Sequence, residues 1–199
     1  MNVQVKSFTG ESANIYKKDL AQLRIEVFRE FPYLYDGNME YEEKYLDTFM
    51  QAEDSIIVVA FNRDKVVGVS TGIPLINEPI EIREVWIDKG YDIEDIFYFS
   101  ESVLKKNYRG HGIGVTFFEQ REQWATKLGY GSAIFCGVIR SENHPLKPEG
   151  YVNLESFWAN RGYEKKKGFQ CSMSWKDIDQ SNESSKSLQF WSKSLSSGQ

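Results

Sequence analysis

The sequence predicts an α/β fold, a mixed sheet with helices on both faces, and three observations carry that expectation. Strand-like and helix-like segments follow one another in the order strand, helices, strands, helix, strand, helix, strand. Two β-branched runs, "SIIVVAF" and "KVVGVSTGI", flank the polar turn "NRD". An apolar strand then runs through three glycines directly into the strongest helical pattern of the chain. With 199 residues, 41% hydrophobic and 15% aromatic, the chain can bury one sizeable core, and a second full domain would be cramped.

The elements follow in order. "VQVKSF" alternates like a half-buried strand. Leu20, Leu23, Val27 and Phe31 recur at helical steps, with Asp19 and Gln22 resembling a capping box, or with a start nearer Ser12; Pro32 ends that helix. After the turn-rich "PYLYDGN", Asn38 caps a helix through Tyr45, Leu46 and Phe49. The β-branched pair forms a hairpin, and Pro79 opens a short helix whose face is Ile82, Val85 and Trp86. "DIFYFSESVL" is the next strand. The helix from about Gly112 to Leu128 buries Phe117, Phe118, Trp124, Ala125 and Leu128, with Gly129 at its C′ position. "SAIFCGVI" is a buried strand, "RSENHPLKPEGY" a loop, "NLESFWANRGY" a short helix stopped by Gly162, and "FQCSMSW" a period-two strand. Residues 180–199 read as a serine-rich tail in which Leu188, Trp191 and Leu195 space a short docking helix.

Charge and composition exclude several classes. A formal net charge of -5 argues against general nucleic-acid affinity, so any anion site must be local. No apolar run reaches the ~18 residues of a membrane span, and "MNVQVKSFTG" lacks a signal-peptide apolar region. Cys136 and Cys171 have no metal-ligand spacing and read as reduced thiols in strands, which fits a cytoplasmic protein with neither a metal nor a membrane or nucleic-acid partner.

The glycines carry the chemistry. Gly110, Gly112 and Gly114 stand behind Arg109 and at the start of a helix. The first amides of a helix lack internal acceptors, its dipole adds partial positive charge, and missing side chains let a phosphate approach. Lys105, Lys106 and Arg109 add positive charge nearby. The plainer alternative is a loop with glycines at left-handed positions. A Walker loop is excluded because Val115 and Thr116 follow Gly114 where Lys and Ser or Thr would stand, and no spacing of these glycines supplies G-x-G-x-x-G.

At "RGHGIG" the chain resembles the GNAT superfamily of acyl-CoA-dependent N-acyltransferases, whose signature of Arg or Gln, two variable residues, Gly, one variable residue, then Gly or Ala matches Arg109, Gly112 and Gly114. "YFSESVL" and "FWANRGY" sit where that family has its central strand and its last helix end. More narrowly, "FREFPYLYDG", "YFSESVLKKNYRGHGIG" and "HPLKPEGY" resemble a little-described branch, some of whose members are fused to nitrilase-like domains. The resemblance implies a twisted, mostly antiparallel sheet splayed between its central strands, with residues 1–179 as a single acyltransferase domain. It also implies acetyl-CoA, or another acyl-CoA, as donor to a small-molecule amine, with a homodimer among the expected assemblies. The diphosphate would lie on amides from Arg109 through Gly110, His111, Gly112, Ile113 and Gly114 to Val115, and the pantetheine arm beside Val103, Leu104 and Lys105.

For proton transfer the candidates are Glu101 and Tyr98. Strict alternation puts Tyr98 with Ser100 and Ser102 on one face, and Phe97, Phe99, Glu101 and Val103 on the other. A carboxylate on that apolar face is either shifted by a bulge into the cleft or buried with a partner, as a functional group or as a hydrogen-bond hub. The family often carries a Tyr acid where this chain has Trp158, so either water assists the leaving thiolate or Tyr151 or Tyr163 substitutes. For the acceptor the resemblance nominates Tyr33, Tyr35 and Asp36, with Arg140 at the far end of the splayed strand. Two other readings stay open: a CoA-binding sensor without turnover, motivated by Trp158, and a different phosphate-binding fold serving a nucleotide.

Overall fold

The computed structural model describes residues 3–195. Within them β1 (Val3–Phe8), β2 (Ile56–Asn62), β3 (Lys65–Pro74), β4 (Ile96–Leu104), β5 (Ser132–Val138), β6 (Glu164–Lys176) and β7 (Glu183–Ser194) form one sheet in the order β1-β2-β3-β4-β5-β7-β6. Every neighbouring pair is antiparallel except β4 with β5, which is parallel. α1 (Lys17–Phe28), α2 (Met39–Gln51) and α3 (Ile80–Ile87) cover one face; α4 (Ile113–Leu128) and the short α5 (Glu155–Asn160) cover the other.

Burial on both faces explains the continuous apolar runs of the central strands. Ile57 and Val59 enter the core beneath α1 and α2 with Leu20, Leu23, Leu46 and Phe49, whereas Val58 and Ala60 enter the core beneath α4 with Phe117, Phe118 and Ala125. Asn38 caps α2 as expected, its side chain accepting from the Tyr41 amide at 3.0 Å. Gly112 and Gly129, both with positive φ, bound α4.

The chain departs from the sequence-based expectation at two ends. A 3-10 turn over Gly10–Tyr16 precedes α1, and its entry is set by the Thr9 amide donating to Ser12 Oγ at 3.1 Å, not by Asp19 and Gln22. α1 ends at Phe28, so Phe31 lies in the following loop; a residue before proline is disfavoured in helical conformation, and the Tyr35 amide turns back to the Phe28 carbonyl at 2.8 Å.

The second departure is larger. The expected tail with its docking helix is β7, inserted between β5 and β6. Leu188, Trp191 and Leu195 fit a helical step, but Leu188 and Phe190 pack in one core while Trp191 and Leu195 pack in the other, which only an extended segment with both faces covered achieves. Residues 196–199 of the expected tail lie outside the described residues.

Phe190 is fully buried in β7, so Phe190→Ala should destabilise the whole fold by about 3–5 kcal/mol, read from urea denaturation. A loss under about 1 kcal/mol would mean that residues 183–194 do not belong to the core.

Candidate active site

β4 and β5 pair only at Ile96–Ser132, Phe97–Ala133 and Tyr98–Ile134. Beyond Tyr98 they part, although β4 continues to Leu104 and β5 to Val138. The gap opens a cleft of about 1070 Å³ that runs from the glycine turn past both strands to the 31–33 loop. The Lys105 amide donates to Val67 of β3 at 3.0 Å, so by alternation the Ser102 and Leu104 amides face the gap and that of Lys105 does not. On the other side the Ile139 amide is committed to Ser187 at 2.9 Å, leaving Val138 to face the gap.

At the turn, Gly110 and Gly112 have φ of 78° and 81°, and a Cβ at either would meet nothing within 4 Å. Among the described residues the amides of Gly110 through Val115 donate to no protein acceptor, whereas the Arg109 amide is used by Lys106 at 3.2 Å. The free set therefore begins one residue later than expected. Arg109 braces the turn from outside, its Nε on the Leu104 carbonyl at 2.9 Å and its guanidinium on Glu30 at 2.8 Å. Lys105 is likewise tied to Glu26, and His111 turns back to the Arg109 carbonyl at 2.8 Å. These open, unpartnered amides suit a diphosphate. Among the described residues no group of three or more His, Cys, Asp or Glu is placed to hold a metal ion.

A bulge changes the parity of β4. Thr71 pairs with Glu101 but Ile73 with Tyr98, so β4 carries an extra residue at Phe99–Ser100. Tyr98 and Glu101, which strict alternation put on opposite faces, therefore face the same side, beneath α1 and α2. Glu101 is both displaced and paired: Oε1 lies 2.6 Å from the Arg24 guanidinium and Oε2 accepts from Tyr45 at 2.9 Å, while the residue lines the cleft floor. Arg24 also binds Glu42 at 2.5 Å. Tyr98 is buried away from the cleft with its hydroxyl 3.1 Å from Cys136 Sγ, and burial raises it well above its ordinary value. A phenol enclosed in the core has no route to an acceptor, which removes Tyr98 as a base. Val103 buries its side chain in one core, and Leu104 packs half-buried against the other.

The four acceptor residues separate. Tyr33 lines the cleft beside Val138; burial, with Cys136 and Glu101 nearby, raises its acid value and keeps the hydroxyl protonated. Tyr35 turns instead to Glu42 behind the loop. Asp36 faces outward to Lys176 and Arg29, at 2.7 and 2.9 Å, whose hydrogen bonds lower its carboxyl. Arg140 reaches the cleft edge, but its guanidinium is consumed by the Pro32 and Tyr33 carbonyls, at 2.7 and 2.5 Å, and by Asp177 at 2.7 and 3.0 Å. It pins the loop that carries Tyr33.

The remaining aromatics sort as clearly. Trp158 lies on the cleft wall against Phe135 and Trp191, with ring centroids at 5.0 and 5.3 Å. Tyr163 is buried and donates to Glu122 at 3.0 Å, outside the cleft, so it is no substitute acid; Tyr151 lines the cleft edge-on to Phe31. Three polar residues escaped the sequence reading. Arg24 and Arg121 each interrupt the apolar stripe of a helix, which is a usable signal of a buried partner; Glu78, just before Pro79, has no periodic signal at all. Its carboxylate accepts from Ser100 Oγ at 2.9 Å.

Residues 20–148, well over half the chain, match the model of the Acetyltransferase (GNAT) family. The fold is similar to that of an N-acetyltransferase from Staphylococcus aureus Mu50, at 14% identity and TM-score 0.62 over 98% of this chain and 100% of that one. It is also similar to a ribosomal-protein-alanine N-acetyltransferase from Brucella melitensis, at 14% identity and TM-score 0.63 over 96% and 99%. A PaiA N-acetyltransferase from Thermoplasma acidophilum in complex with coenzyme A aligns at 15% identity and TM-score 0.58 over 98% and 99%. At these identities the likeness concerns the fold. No curated protein matches the sequence significantly.

Asp177 anchors the wall of this site. Burial alone would raise its carboxyl, but hydrogen bonds from Arg140 and Lys186 carry it below the ordinary carboxylate value. A group depressed by folding contributes stability that is fully present above its unfolded value and is lost as pH falls through its folded value. Asp177→Asn should therefore cost about 3 kcal/mol at pH 7, with the gap to the unaltered protein closing below about pH 4 in urea denaturation. A gap that stays constant from pH 7 to 3 would refute the assignment.

Proposed function

Because the chain belongs to the GNAT acetyltransferase family, we propose that it transfers an acetyl group from acetyl-CoA to a primary amine of a small molecule, by direct attack in a ternary complex. The observation that carries this reading is the unpaired stretch of β4 and β5 opening from a turn of free amides. The turn would hold the diphosphate through the amides of Gly110–Val115. The Ser102 and Leu104 amides would face the pantetheine arm and the thioester, where fixed donors stabilise negative charge as it develops on oxygen.

Glu101 is proposed to act through its field. With both oxygens held by Arg24 and Tyr45 it is poorly placed to accept a proton, but Glu42 and Glu101 together outweigh the one Arg24 charge and leave the cleft floor attractive to an ammonium group. Tyr33 is proposed to protonate the leaving thiolate, taking the role that Trp158 cannot fill: its phenol is protonated and borders the gap. Direct transfer is favoured over a covalent acyl-enzyme because the Cys136 thiol is raised well above its ordinary value by its hydrogen bond to Cys171 and by burial, which keeps it from being a thiolate. The sensor reading rested on the missing acid, and Tyr33 weighs against it.

Thiol release from acetyl-CoA across a library of primary amines tests the activity; binding of acetyl-CoA with no release for any amine would favour the sensor. Gly112→Glu puts a strained backbone and a carboxylate into the diphosphate position, so calorimetric affinity for acetyl-CoA should fall at least about 100-fold, and unchanged affinity would refute the turn assignment. Tyr33→Phe should lower kcat about 100-fold while leaving acetyl-CoA affinity within about twofold. A variant with normal kcat would return the acid role to water.

A further inference from the structure

The acyl transfer proposed above needs an outlet for the amine's proton, and neither Glu101, whose oxygens are both engaged, nor the enclosed Tyr98 supplies one. We propose that Ser100 and Glu78 form that outlet, Ser100 touching the acceptor amine in the cleft and Glu78 receiving the proton from behind the wall. This inference rests on the acetyltransfer reading.

The geometry follows from the β4 bulge. The extra residue at Phe99–Ser100 brings Ser100 to the cleft lining, directly before Glu101. Ser100 Oγ donates to Glu78 Oε1 at 2.9 Å, which leaves the oxygen's lone pairs free to accept from a ligand. Glu78 is 8% exposed and sits at the end of the 3-10 turn Leu75–Asn77, its amide on the Leu75 carbonyl at 3.0 Å. The groups around it are Arg24 from α1, Tyr45 from α2, Tyr98 and Glu101 from β4, and Cys136 from β5. Among the described residues Glu78 forms no salt bridge, since Arg24 is engaged by Glu42 and Glu101.

Two carboxylates on this floor are thus held in opposite ways. Glu101 is ion-paired. Glu78 has one neutral hydrogen bond, and burial first, then the nearby Glu101 charge, push its carboxyl up to about 7 despite Ser100 and Arg24. A buried carboxyl poised near neutrality can both take and return a proton in each cycle.

The step balances as follows. An ammonium N–H passes its proton to Ser100 Oγ while the Ser100 hydroxyl proton moves to Glu78 Oε1. The neutral nitrogen then bonds to the thioester carbon and the C–S bond breaks. Tyr33 gives its phenol proton to the departing thiolate and is reprotonated by the second N–H proton, and Glu78 releases its proton to solvent through Ser100 as the cleft reopens. Net, one ammonium and one acetyl thioester give one amide, one thiol and one proton.

The test combines a kinetic and a spectroscopic arm. With acetyl-CoA and the best amine from a library that includes phenethylamine and spermidine, kcat of the unaltered protein should fall on the acid side with an inflection near pH 7. Glu78→Gln should lower kcat about 100-fold or more and erase that inflection, with acetyl-CoA affinity unchanged. Glu78→Asp should restore part of the rate and the inflection. In the unaltered protein, carbon-13 NMR should show the Glu78 carboxyl titrating near pH 7, a measurement that needs no variant to fold. A Glu78→Gln protein with normal kcat and an intact acid limb, or a Glu78 carboxyl titrating below pH 5, would overturn the outlet and leave acetyl transfer standing. Absence of thiol release with every amine would instead overturn the acetyltransfer reading, whatever the titration.

Discussion

The parallel pairing of β4 with β5 stops at Tyr98–Ile134, and the cleft exists because the extra residue that follows in β4 keeps it from resuming. A bulge re-aims the carbonyls around it, and buried carbonyls must find donors. Arg121 supplies them. From the apolar side of α4 its guanidinium donates to the carbonyls of Thr71 and Glu101, at 3.1 and 3.2 Å, and to Ser102 Oγ at 2.8 Å, while Nε returns to Phe117 at 3.0 Å. The ion has no salt-bridge carboxylate among the described residues, and burial lowers its value to about 10, which still leaves it charged at neutral pH. Its cost is offset by those hydrogen bonds and by the rings of Phe99 and Phe118, whose centroids lie 4.2 and 5.0 Å from the guanidinium carbon. One buried cation thus stitches the irregular strand to the helix that begins at the glycine turn, so the two halves of the cleft are fixed relative to each other.

On the opposite face a second cation does related work. Arg24 lies beneath the rings of Tyr45 and Phe28, at 4.1 and 5.1 Å, and joins α1 to α2 through Glu42 and to β4 through Glu101. A buried ion pair rarely gains stability over apolar packing of the same shape. Its presence here is better explained by what it permits: a carboxylate held in an ion pair on the cleft floor, beside a second carboxyl, Glu78, that has no cation of its own. The contrast between the two is set by partners, not by depth, since Glu101 and Glu78 are 7% and 8% exposed.

Much of this was legible in the sequence, and what was not has definite causes. The hairpin of β2 and β3, the cap at Asn38, the glycine-led α4 and the splay implied by the family resemblance all rest on local chemistry or on a short motif. The parity of β4 was not legible, because a bulge depends on the neighbouring strand and leaves no mark on period-two alternation. β7 was not legible because its serines are neutral to composition-based reading, and its apolar residues acquire meaning only when β5 and β6 cover both sides. Arg140 and Tyr33, nominated together for the acceptor, differ in what the structure leaves them: the cation is consumed in pinning the backbone, and the phenol borders the cleft. Spacing ranks residues by neighbourhood, and it cannot say which hydrogen-bond capacity the protein itself consumes.

That last distinction bears on the proposed placement of the acid at Tyr33. Trp158 lies against Gly137, where a Cβ would come within 2.8 Å of the indole, and is walled by Phe135 and Trp191. This side of the cleft is all ring and offers no hydroxyl at that point. The opposite side is a loop without regular structure, which by itself would not hold a phenol in place. Here the loop is fastened at the backbone of Pro32 and Tyr33 by Arg140 and at the Tyr33 carbonyl again by Trp175 Nε1 at 3.1 Å, while Asp177 holds Arg140 together with Lys186. Asp177 sits at the end of β6 and so couples the loop to the edge of the sheet. Placement of the Tyr33 hydroxyl therefore depends on a buried salt bridge far along the chain rather than on the last helix, and a packing change at Trp158 need not disturb it.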